Sequence, residues 1–517
     1  AGHGGSAGNG GQVTITNNGS LFTRGDLSFG IFAQSVGGGG GMGGAGSLTP
    51  SEIAIPMSGG GGGDGGDVTV ITTGDIVNAG VGAIAILAQS VGGGGGIAGV
   101  LSFGVRLFPP PSSPPSIGVV CGDGGDVTVT STGNIQVTGV GAMAIFAQSV
   151  GGGGGLWNGQ GVLGTAGSLG LQGEAGTVSW SHTGDLVAMD VNAVAALFQS
   201  RGTDGQDDII AQLDGDIRGG SIFGKGIMVE GGQNNLLTLF GSVAAESGLA
   251  IEATTGNDTI DSHSTVFGNI DLFGDNAAPT TGFRTIASVQ NASAAASHEV
   301  NVYNNLEDGT LVGFDFIDLG EAGTLNNAGI LAFGEFDDVR DVALTGSFVQ
   351  ADTGIFVSDI DFALAGQQTD SLMASGSAAL AGEIVVQFKN PRSLRTGDFS
   401  STLVSAAGGV SDNGITLRDL GGGAVARFAL GSSANALTFD YTIDFAGVDG
   451  GLNENRTAFG DYLNRSVNEA NNDAVIDLTQ SLLFAADISD VGAISDTLTG
   501  TIYADNIKEN ALAGASF

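Results

Sequence analysis

The stretch Ala33-Gln34-Ser35-Val36, followed by the five glycines Gly37 to Gly41, occurs three times in this chain. The other two copies are Ala88-Gln89-Ser90-Val91 with Gly92 to Gly96, and Ala147-Gln148-Ser149-Val150 with Gly151 to Gly155. A divergent fourth copy, Phe198-Gln199-Ser200-Arg201-Gly202, lacks the glycine run. An apolar strand pattern that ends in glycine and recurs along a chain is typical of stacked repeat architectures.

Two further motifs accompany each copy. An anchor, clearest as Gly63-Asp64-Gly65-Gly66-Asp67-Val68-Thr69-Val70, lies upstream, and a Gly-polar-apolar turn such as Gly74-Asp75-Ile76 follows it. The other anchors are Gly8-Asn9-Gly10-Gly11-Gln12-Val13-Thr14-Ile15, Gly122-Asp123-Gly124-Gly125-Asp126-Val127-Thr128-Val129 and Gly173-Glu174-Ala175-Gly176-Thr177-Val178. The other turns are Gly19-Ser20-Leu21, Gly133-Asn134-Ile135 and Gly184-Asp185-Leu186.

The spacing of these motifs separates a fixed part from a variable part. The distance from anchor glycine to turn glycine is 11 residues, and from turn glycine to glutamine 15 residues, in all four copies. From the glutamine to the next anchor the distance is 29, 33 and then 25 residues. The matched positions are Gly8/Gly19/Gln34, Gly63/Gly74/Gln89, Gly122/Gly133/Gln148 and Gly173/Gly184/Gln199. A rung of fixed length alternates with a connecting segment of variable length, which we call an excursion. This alternation indicates a solenoid, because stacking fixes the length of each rung while the connecting loops leave the stack on one side.

The fixed part has the composition of short β-strands. Val-Thr-Val and Ala-Ile-Phe-Ala-Gln-Ser-Val are rich in β-branched and aromatic residues, with glycine or asparagine at the corners. In an extended strand, Ile145, Ala147 and Ser149 share one face, while Phe146 and Gln148 lie on the other. A parallel β-helix stacks such strands rung on rung.

The repeated glutamines recur at equivalent positions of successive rungs; they are Gln34, Gln89, Gln148 and Gln199. Two interpretations stay open: an amide-bonded polar ladder, as in other cross-strand assemblies, and a polar residue that ends each rung without binding a ligand. A phosphate-binding loop is excluded because such loops pair glycine with a lysine, and no copy contains one. We therefore expect the glycine runs to be scaffold and the excursions to carry any binding.

Composition bounds the classes of function. The chain of 517 residues carries 53 acidic and 15 basic residues, a formal net charge of −38. This excess disfavours nucleic acid and anionic membrane surfaces as partners, and it suits an extracellular protein that must stay in solution.

The single cysteine, Cys121, excludes a disulfide framework, and we expect it to be a buried small hydrophobe. The longest apolar run, Val81 to Ala88, is too short to span a bilayer.

A third region carries a family resemblance. Thr345-Gly346-Ser347-Phe348-Val349-Gln350 leads through Asp359-Ile360-Asp361 and Thr369-Asp370-Ser371-Leu372 to Gly376-Ser377-Ala378-Ala379-Leu380-Ala381-Gly382-Glu383-Ile384. Thr396-Gly397-Asp398-Phe399 and Leu403-Val404-Ser405-Ala406-Ala407-Gly408-Gly409-Val410 follow. From Thr345 to about Val448 the order resembles the C-terminal passenger segment of bacterial type V autotransporters. The resemblance implies the last rungs and cap of a β-helix, which assist passenger folding during secretion.

The end of the chain extends this resemblance. Phe459, Leu463 and Val467 recur at i, i+4 and i+8 and predict a helix. Leu498-Thr499-Gly500-Thr501-Ile502-Tyr503-Ala504 is similar to a segment that precedes the outer-membrane barrel in that family, although Thr501 stands where an acidic residue is common. The chain stops at Phe517, about where the barrel is expected to begin, and its glycine-rich start at Ala1 indicates a processed or partial chain with further repeats upstream.

We find no constellation of residues that predicts catalysis or a cofactor. The histidines His3, His182, His263 and His298 lack the spacing of metal ligands. Gly4-Gly5-Ser6-Ala7-Gly8 fits a nucleophile pattern only by chance, because it lacks the required strand and helix. The adjacent pairs Asp207/Asp208 and Asp337/Asp338 would face opposite ways in a strand.

Two local features have weaker functional interpretations. Gly256-Asn257-Asp258-Thr259-Ile260 resembles half of a calcium-binding nonapeptide, but that motif requires tandem copies and only one is present. The stretch Phe108 to Pro115 is rich in proline and predicts a stiff spacer loop.

The sequence thus predicts an all-β protein, a right-handed parallel β-helix with a short C-terminal α-helical segment. Four parts are expected: glycine-rich repeats (1–214), irregular rungs (215–344), a C-terminal cap (345–448) and a helical junction toward a missing barrel (449–517). We expect a non-catalytic cell-surface adhesin of a Gram-negative bacterium, with no metal or cofactor, that binds surface glycans or proteins and meets its own outer-membrane barrel during secretion. The alternatives are a surface-layer or filament subunit that binds copies of itself, and an enzyme passenger acting on polysaccharide or ester.

Overall fold

The structure, a computed structural model, divides into two compact units. The described residues are 5–40, 60–93, 121–152, 156–159, 162–165, 173–202, 207–273, 299–334, 339–364, 369–418, 420, 422–469, 477–479, 482–483, 485 and 487–499. The first unit ends at Asn326 and the second begins at Asn327. The four-part division expected from sequence stays a prediction, since this separation falls inside its second part.

The first unit consists of β-strands. They are β1 (Val13–Asn17), β2 (Leu21–Arg24), β3 (Phe29–Val36), β4 (Val68–Thr73), β5 (Ile76–Ala79), β6 (Ile84–Val91), β7 (Val127–Thr132), β8 (Ile135–Thr138), β9 (Met143–Val150), β10 (Leu156–Gly159), β11 (Val162–Thr165), β12 (Val178–Thr183), β13 (Leu186–Met189), β14 (Val194–Arg201), β15 (Ile209–Gly219), β16 (Lys225–Gly231), β17 (Asn234–Ala253), β18 (Asn257–Asp271), β19 (Val302–Asn305), β20 (Thr310–Gly313) and β21 (Phe316–Asp318), with β22 (Thr324–Asn327) at the boundary.

Each repeat forms one rung of three strands, and the rungs stack in parallel. The first strands pair as β1–β4–β7–β12, the second as β2–β5–β8–β13 and the third as β3–β6–β9–β14. Val13 lies opposite Val68, Val68 opposite Val127, and Val127 opposite Val178, so the register follows the anchor motif. The prediction of a parallel, solenoid-like all-β fold is therefore confirmed, and the sheet does not close on itself.

Backbone contacts between glycines close each rung. The Gly63 N–H donates to Gly38 O at 2.9 Å, and the Gly122 N–H donates to Gly93 O at 2.9 Å. The two ends of an excursion are thus hydrogen-bonded to each other, which explains why its length is free to vary. We call the stacked glycines that make these bonds the glycine clamp. Its members are Gly8, Gly38, Gly63, Gly93, Gly122 and Gly152.

Three members of the clamp, Gly63, Gly93 and Gly122, and the adjacent Gly37 and Gly92 require glycine because the backbones lie in direct contact. A Cβ added at Gly92 would lie 1.9 Å from Gly122 O, and one added at Gly37 would lie 1.8 Å from Gly63 O. No side chain fits at such a distance. The predicted scaffold role of the glycine runs is seen directly at these positions.

Two of the third strands, β6 and β9, are buried on both faces, whereas β3 is buried on one. In β3, Phe32 and Val36 are 46% and 50% exposed, whereas their register partners Leu87 and Val91 in β6 are 0% and 2% exposed. All eight residues of β6 and of β9 are buried. An apolar cluster runs across three rungs, formed by Ile84, Leu87, Met143, Phe146, Val194 and Leu197. Burial of each large aliphatic side chain stabilises the stack by about 1.5–3 kcal/mol.

The rungs lose their regular corners after the fourth repeat. β15 pairs with both β12 and β13, so one long strand continues across a former corner. β17 and β18 continue this pattern over 20 and 15 residues. The strands expected around Leu236–Phe240, Val266–Phe273 and Gly329–Phe333 are confirmed, although the first two belong to much longer strands.

The second unit contains further strands and two helices. They are β23 (Ile330–Phe333), β24 (Asp341–Thr345), β25 (Ser347–Gln350), β26 (Ile355–Asp361), β27 (Ser371–Ala374), β28 (Ala378–Leu380), β29 (Glu383–Lys389), β30 (Gly397–Ala406), β31 (Val410–Asp412), β32 (Thr416–Leu417), β33 (Ala426–Ser432), β34 (Ala436–Ile443), α1 (Glu454–Asn468) and α2 (Ile488–Thr499). A 3₁₀ turn spans Pro391–Ser393.

Parallel pairing gives way to antiparallel pairing toward the end of this unit. β26 pairs with β29 and β27 with β30 in parallel, whereas β34 pairs with β30 and β33 antiparallel. Such a change covers the last strand edge, which an open parallel sheet would leave unpaired. Aromatic side chains pack beneath it, including Phe428, Phe439 and Tyr441.

The predicted helix is α1. Asn453 caps it by accepting a hydrogen bond from the Arg456 N–H, and Leu463 and Val467 are buried as their spacing predicted. Arg456 forms an ion pair with Asp496 of α2 at 2.5 Å. Neither described helix is long and apolar enough to cross a membrane.

The close backbone contacts beside the clamp yield a first prediction. Gly92→Ala should lower the free energy of unfolding by about 1–3 kcal/mol or more, because the added methyl group overlaps the backbone of the next rung. Gly11→Ala is the matched control, since an added Cβ there meets nothing within 4 Å. Urea unfolding of both variants, followed by tryptophan fluorescence, measures the difference. Equal midpoints would contradict the role of close contact.

Candidate binding surface

The repeated glutamines form a hydrogen-bonded ladder along the stack. Gln34 Nε2 donates to Gln89 Oε1 at 2.5 Å, and the same bond joins Gln89 to Gln148 and Gln148 to Gln199. Gln89, Gln148 and Gln199 are at most 1% exposed. Of the two interpretations from sequence, the amide ladder is therefore the one that the structure supports.

The ladder ends on a buried carboxylate. Gln199 Nε2 donates to Glu230 Oε2 at 2.5 Å. Burial raises the pKa of Glu230, while the charges of Arg201 and Lys225 and the hydrogen bond from Gln199 lower it. An ionised carboxylate accepts hydrogen bonds and cannot donate them. Glu230 accepts at the end of the ladder, and each glutamine Oε1 accepts from the preceding rung, so all the amides share one direction.

A column of serines binds each strand to the glycine anchors. Ser90 Oγ donates to Gly66 O of its own rung at 3.0 Å and accepts from the Gly125 N–H of the next rung at 2.8 Å. Ser149 repeats both bonds with Gly125 and Gly176. The conserved spacing of glutamine and serine within the repeat thus reflects two neighbouring columns of hydrogen bonds.

The turn aspartates also bridge successive rungs. Asp64 Oδ1 accepts from the Asp123 N–H at 3.0 Å, and Asp123 Oδ1 accepts from the Glu174 N–H at 2.8 Å. Asp67 and Asp126 do the same three positions further on. The prediction that these aspartates serve the backbone at turns agrees with these bonds.

The points where the excursions leave and rejoin the described rungs lie along one flank of the first unit. The described rungs are interrupted after Gly40, Gly93 and Gly152, and the chain resumes at Gly60, Cys121 and Gly173. These points stack because the strands before them, β3, β6 and β9, pair in register. Within the third interruption, β10 and β11 form a separate antiparallel hairpin. The polyproline stretch, Phe108 to Pro115, lies outside the described residues.

Exposed carboxylates line the neighbouring corners. Asp67, Asp75, Asp123 and Asp126 are exposed, although each gives one oxygen to a backbone N–H of the next rung. These carboxylates recur at matching positions of successive rungs. The flank where the excursions leave the rungs, together with these corners, is the candidate binding surface of the first unit.

The calcium-like half motif serves another purpose. Asp258 is 1% exposed, and its Oδ1 accepts from Asn235 Nδ2 at 2.7 Å. Burial raises the pKa of Asp258 to about 7. Asn257 donates to Asn234 Oδ1 at 3.1 Å. Within the described residues, no group of three His, Cys, Asp or Glu side chains is placed to hold a metal ion.

Two of the four histidines can be located. His182 is 1% exposed and its Nδ1 lies 2.8 Å from Ser131 Oγ, which also accepts from Trp180 Nε1. Burial lowers the pKa of His182 to about 4. His263 pairs with Asp308 at 2.7 Å and stacks on Phe240. The Ser131–His182 pair, which sequence reasoning missed, is enclosed in the core and presents no reactive atom to solvent. His3 and His298 lie outside the described residues.

The other residues singled out in the sequence have separate positions and roles in the structure. Asp208 accepts from the Asn234 N–H at 3.0 Å, so it serves the stack. Cys121 is half-buried, and the expectation of a buried cysteine was wrong because the residue lies at the point where an excursion rejoins its rung. Ser6 lies in an irregular segment with no flanking strand or helix. Asp337 and Asp338 lie outside the described residues.

The second unit has an open groove on its antiparallel sheet. It has a volume of about 470 Å³, and its lining includes Phe399, Arg427, Asp440 and Tyr441. Phe399 and Tyr441 stack with ring centroids 4.9 Å apart. An aromatic platform beside charged groups suits a polar ligand with an apolar face. The pattern in the sequence contained no signal for it, since its residues come from three different strands.

A buried ionic cluster in the second unit was also missed. Lys389 Nζ lies 2.6 Å from Asp359 Oδ2, and Asp370 Oδ2 accepts from the Asp359 N–H at 2.8 Å. Asp359 and Asp370 stand within the motifs that carry the family resemblance, but nothing in their spacing indicates that they meet a lysine.

The ladder yields a second prediction. Gln148→Ala should lower the free energy of unfolding by about 2–5 kcal/mol, because Gln89 Nε2 and Gln199 Oε1 lose their partner while they remain buried. Gln34→Ala, at the exposed end of the ladder, should cost less than about 1 kcal/mol. Urea unfolding of the two variants tests this order. Similar losses would show that the ladder contributes no more than side-chain volume.

The buried histidine yields a third prediction. The unfolded chain binds a proton at His182 below a pH of about 6.5, whereas the folded chain does not until about 4. This contribution to stability is complete above pH 6.5 and is lost as the pH falls toward 4, by up to about 3 kcal/mol. Unfolding measured at pH 7 and pH 4.5 should therefore show a larger acid loss for the wild type than for His182→Gln. The same loss in both proteins would refute the assignment.

Comparisons with known proteins add no family to this description. No protein-family model matches the chain, and no curated protein matches it significantly.

Proposed function

We propose that the chain is the extracellular passenger of a bacterial type V secreted protein, a right-handed parallel β-helix that acts as a non-catalytic adhesin. The observation that carries the proposal is the glycine clamp. It holds both ends of an excursion 2.9 Å apart, at Gly93 O and Gly122 N, while the rung stays in register. Such a device presents loops of any length and sequence without disturbing the scaffold.

The roles of the polar side chains also support a binding scaffold. The glutamines, serines and turn aspartates of the repeats are engaged in rung-to-rung hydrogen bonds, and the Ser131–His182 pair is enclosed. These groups stabilise the stack, so recognition is left to the excursions and to the groove in the second unit. A net charge of −38 keeps an elongated surface protein in solution.

Surface glycans or proteins are the proposed partners, at the outer surface of a Gram-negative cell. The resemblance of 345–448 to an autotransporter cap assigns the second unit to the end of the passenger, which meets the outer-membrane barrel during secretion. The change from parallel to antiparallel pairing at β30 and β34 fits a capping role.

The structural-subunit alternative loses its main argument. Glycine runs suit close packing between chains, yet the positions where an added Cβ would overlap a backbone face other rungs of the same chain, as Gly92 faces Gly122. The close approach is used within the molecule. The adhesin is therefore the function that the geometry supports best.

A loop-exchange experiment tests the proposal. Residues 41–59, 94–120 and 153–172 are replaced by short Asn-Gly turns, which can bridge the hydrogen-bonded ends of an excursion. The trimmed chain should keep its β-sheet circular dichroism spectrum and unfolding midpoint. Its binding to glycan arrays and to host-cell monolayers should fall at least about tenfold, as expected when the main contacts are removed.

Phe399→Ala is the matched control, because it alters the groove in the second unit and leaves the excursions intact. Unchanged binding by the trimmed chain would overturn the assignment to the excursions, and loss of binding in Phe399→Ala alone would move the site to the groove. Ordered filaments of the wild type in electron micrographs would favour the structural subunit instead.

A further inference from the structure

The inference concerns the buried ionic cluster of the second unit. Lys389 lies at the end of β29 and Asp359 lies in β26, the parallel strand of the preceding rung. Lys389 Nζ and Asp359 Oδ2 are 2.6 Å apart, and each side chain is only 7% exposed. The amine and the carboxyl group are thus held in contact and largely out of water.

A second carboxyl group belongs to the same cluster. Asp370 is 1% exposed, its Oδ2 accepts from the Asp359 N–H at 2.8 Å, and its Oδ1 accepts from the Arg340 N–H at 2.7 Å. These bonds fix the backbone of Asp359 and hence the approach of its carboxyl group to Lys389. Asp370 is a positioning residue.

The environment of Asp370 favours the protonated form of its carboxyl group. One ammonium and two carboxylates would leave a net negative charge in a buried site, which is costly. Burial raises the pKa of Asp370 to about 7, with the charge of Asp359 also raising it and that of Lys389 lowering it. Transfer of one proton from the Lys389 ammonium to the Asp359 carboxylate gives an amine facing a carboxylic acid and leaves the number of protons unchanged.

We propose that Lys389 and Asp359 condense to an isopeptide bond that joins two successive rungs covalently. Nζ of the neutral amine attacks Cγ of the Asp359 carboxylic acid, and the C–OH bond of the adduct breaks. The departing hydroxyl takes up the proton lost by Nζ and leaves as water. Amine and acid become amide and water, so no oxidant, reductant or cofactor is consumed.

Two physical effects favour this product. Fixed contact between the reacting groups replaces a bimolecular encounter, which gives effective concentrations of about 10⁵ M or more in well-oriented systems. Condensation also converts a buried ion pair, which carries a desolvation penalty, into a neutral amide. A chain with a single cysteine gains by this means a crosslink that no disulfide can supply.

The chain contains an internal comparison. Lys225 and Glu252 of the first unit are 2.7 Å apart, but their side chains are 17% and 22% exposed. These side chains are more exposed than those of Lys389 and Asp359, so their charges lose less hydration and condensation is less favoured. We therefore expect one isopeptide bond, at Lys389, and an ordinary ion pair at Lys225.

Mass spectrometry of the full chain tests the proposal directly. The intact mass should fall short of the mass calculated from the sequence by one water molecule. Cyanogen bromide cuts after Met228 and Met373, so fragments 229–373 and 374–517 should stay joined under denaturing and reducing conditions. An intact mass without water loss, together with separated fragments, would overturn the proposal without any variant having to fold.

Three variants sharpen the result. Lys389→Arg keeps the positive charge but lacks the amine, so its fragments should separate. Asp359→Asn should form the same amide with loss of ammonia in place of water. Lys225→Arg is the matched control and should keep the water loss and the joined fragments. Joined fragments in Lys389→Arg, or a water loss abolished by Lys225→Arg, would place the bond elsewhere and refute the assignment.

Discussion

Backbone contact between glycines is the constraint on which the first unit depends. At the clamp, the two ends of an excursion bind each other, and Gly93 also binds the anchor glycine of its own rung, with N to O distances of 2.7–2.9 Å between Gly63, Gly93 and Gly122. Any side chain there would overlap a backbone. The contact separates two properties that proteins usually couple: the rung has a fixed length, and the loop that leaves it does not. Stability then resides in the stack, and variation is confined to the flank.

Most polar side chains of the repeats are used to hold this stack together. Glutamine amides, serine hydroxyls and aspartate carboxylates each bind the next rung, so a residue type that suits catalysis or metal binding elsewhere acts here as part of a column. The glutamine column also has a direction, because its last member donates to Glu230. An amide column buried along β6, β9 and β14 leaves few alternatives in register, since a slip of one residue would orphan every member. Such a column contributes to the correct register of strand pairing more than to the net free energy of folding.

The second unit solves a different problem. A stack must end, and its last strands must not offer an open edge. In the second unit, β33 and β34 pair antiparallel, aromatic rings cluster against this sheet, and the helix α1 follows it in the chain. The buried lysine and two aspartates also lie in this unit, with Asp359 on β26 and Lys389 on β29, its parallel neighbour. A covalent bond between rungs at that place would prevent unravelling from the end, whatever ligand the excursions bind.

The sequence alone determined the rung. Its motifs recur at constant spacing, and glycine, β-branched residues and asparagine have local backbone preferences that need no knowledge of the fold, so strands, corners and even the glutamine column could be predicted. Only the tertiary structure decided what lies across rungs: the burial of both faces of β6 and β9, the carboxylate that ends the ladder, Ser131 beside His182, and Lys389 against Asp359. These contacts join residues far apart in sequence outside any fixed spacing. Their formation depends on how stacked strands align in space, which local preference does not encode.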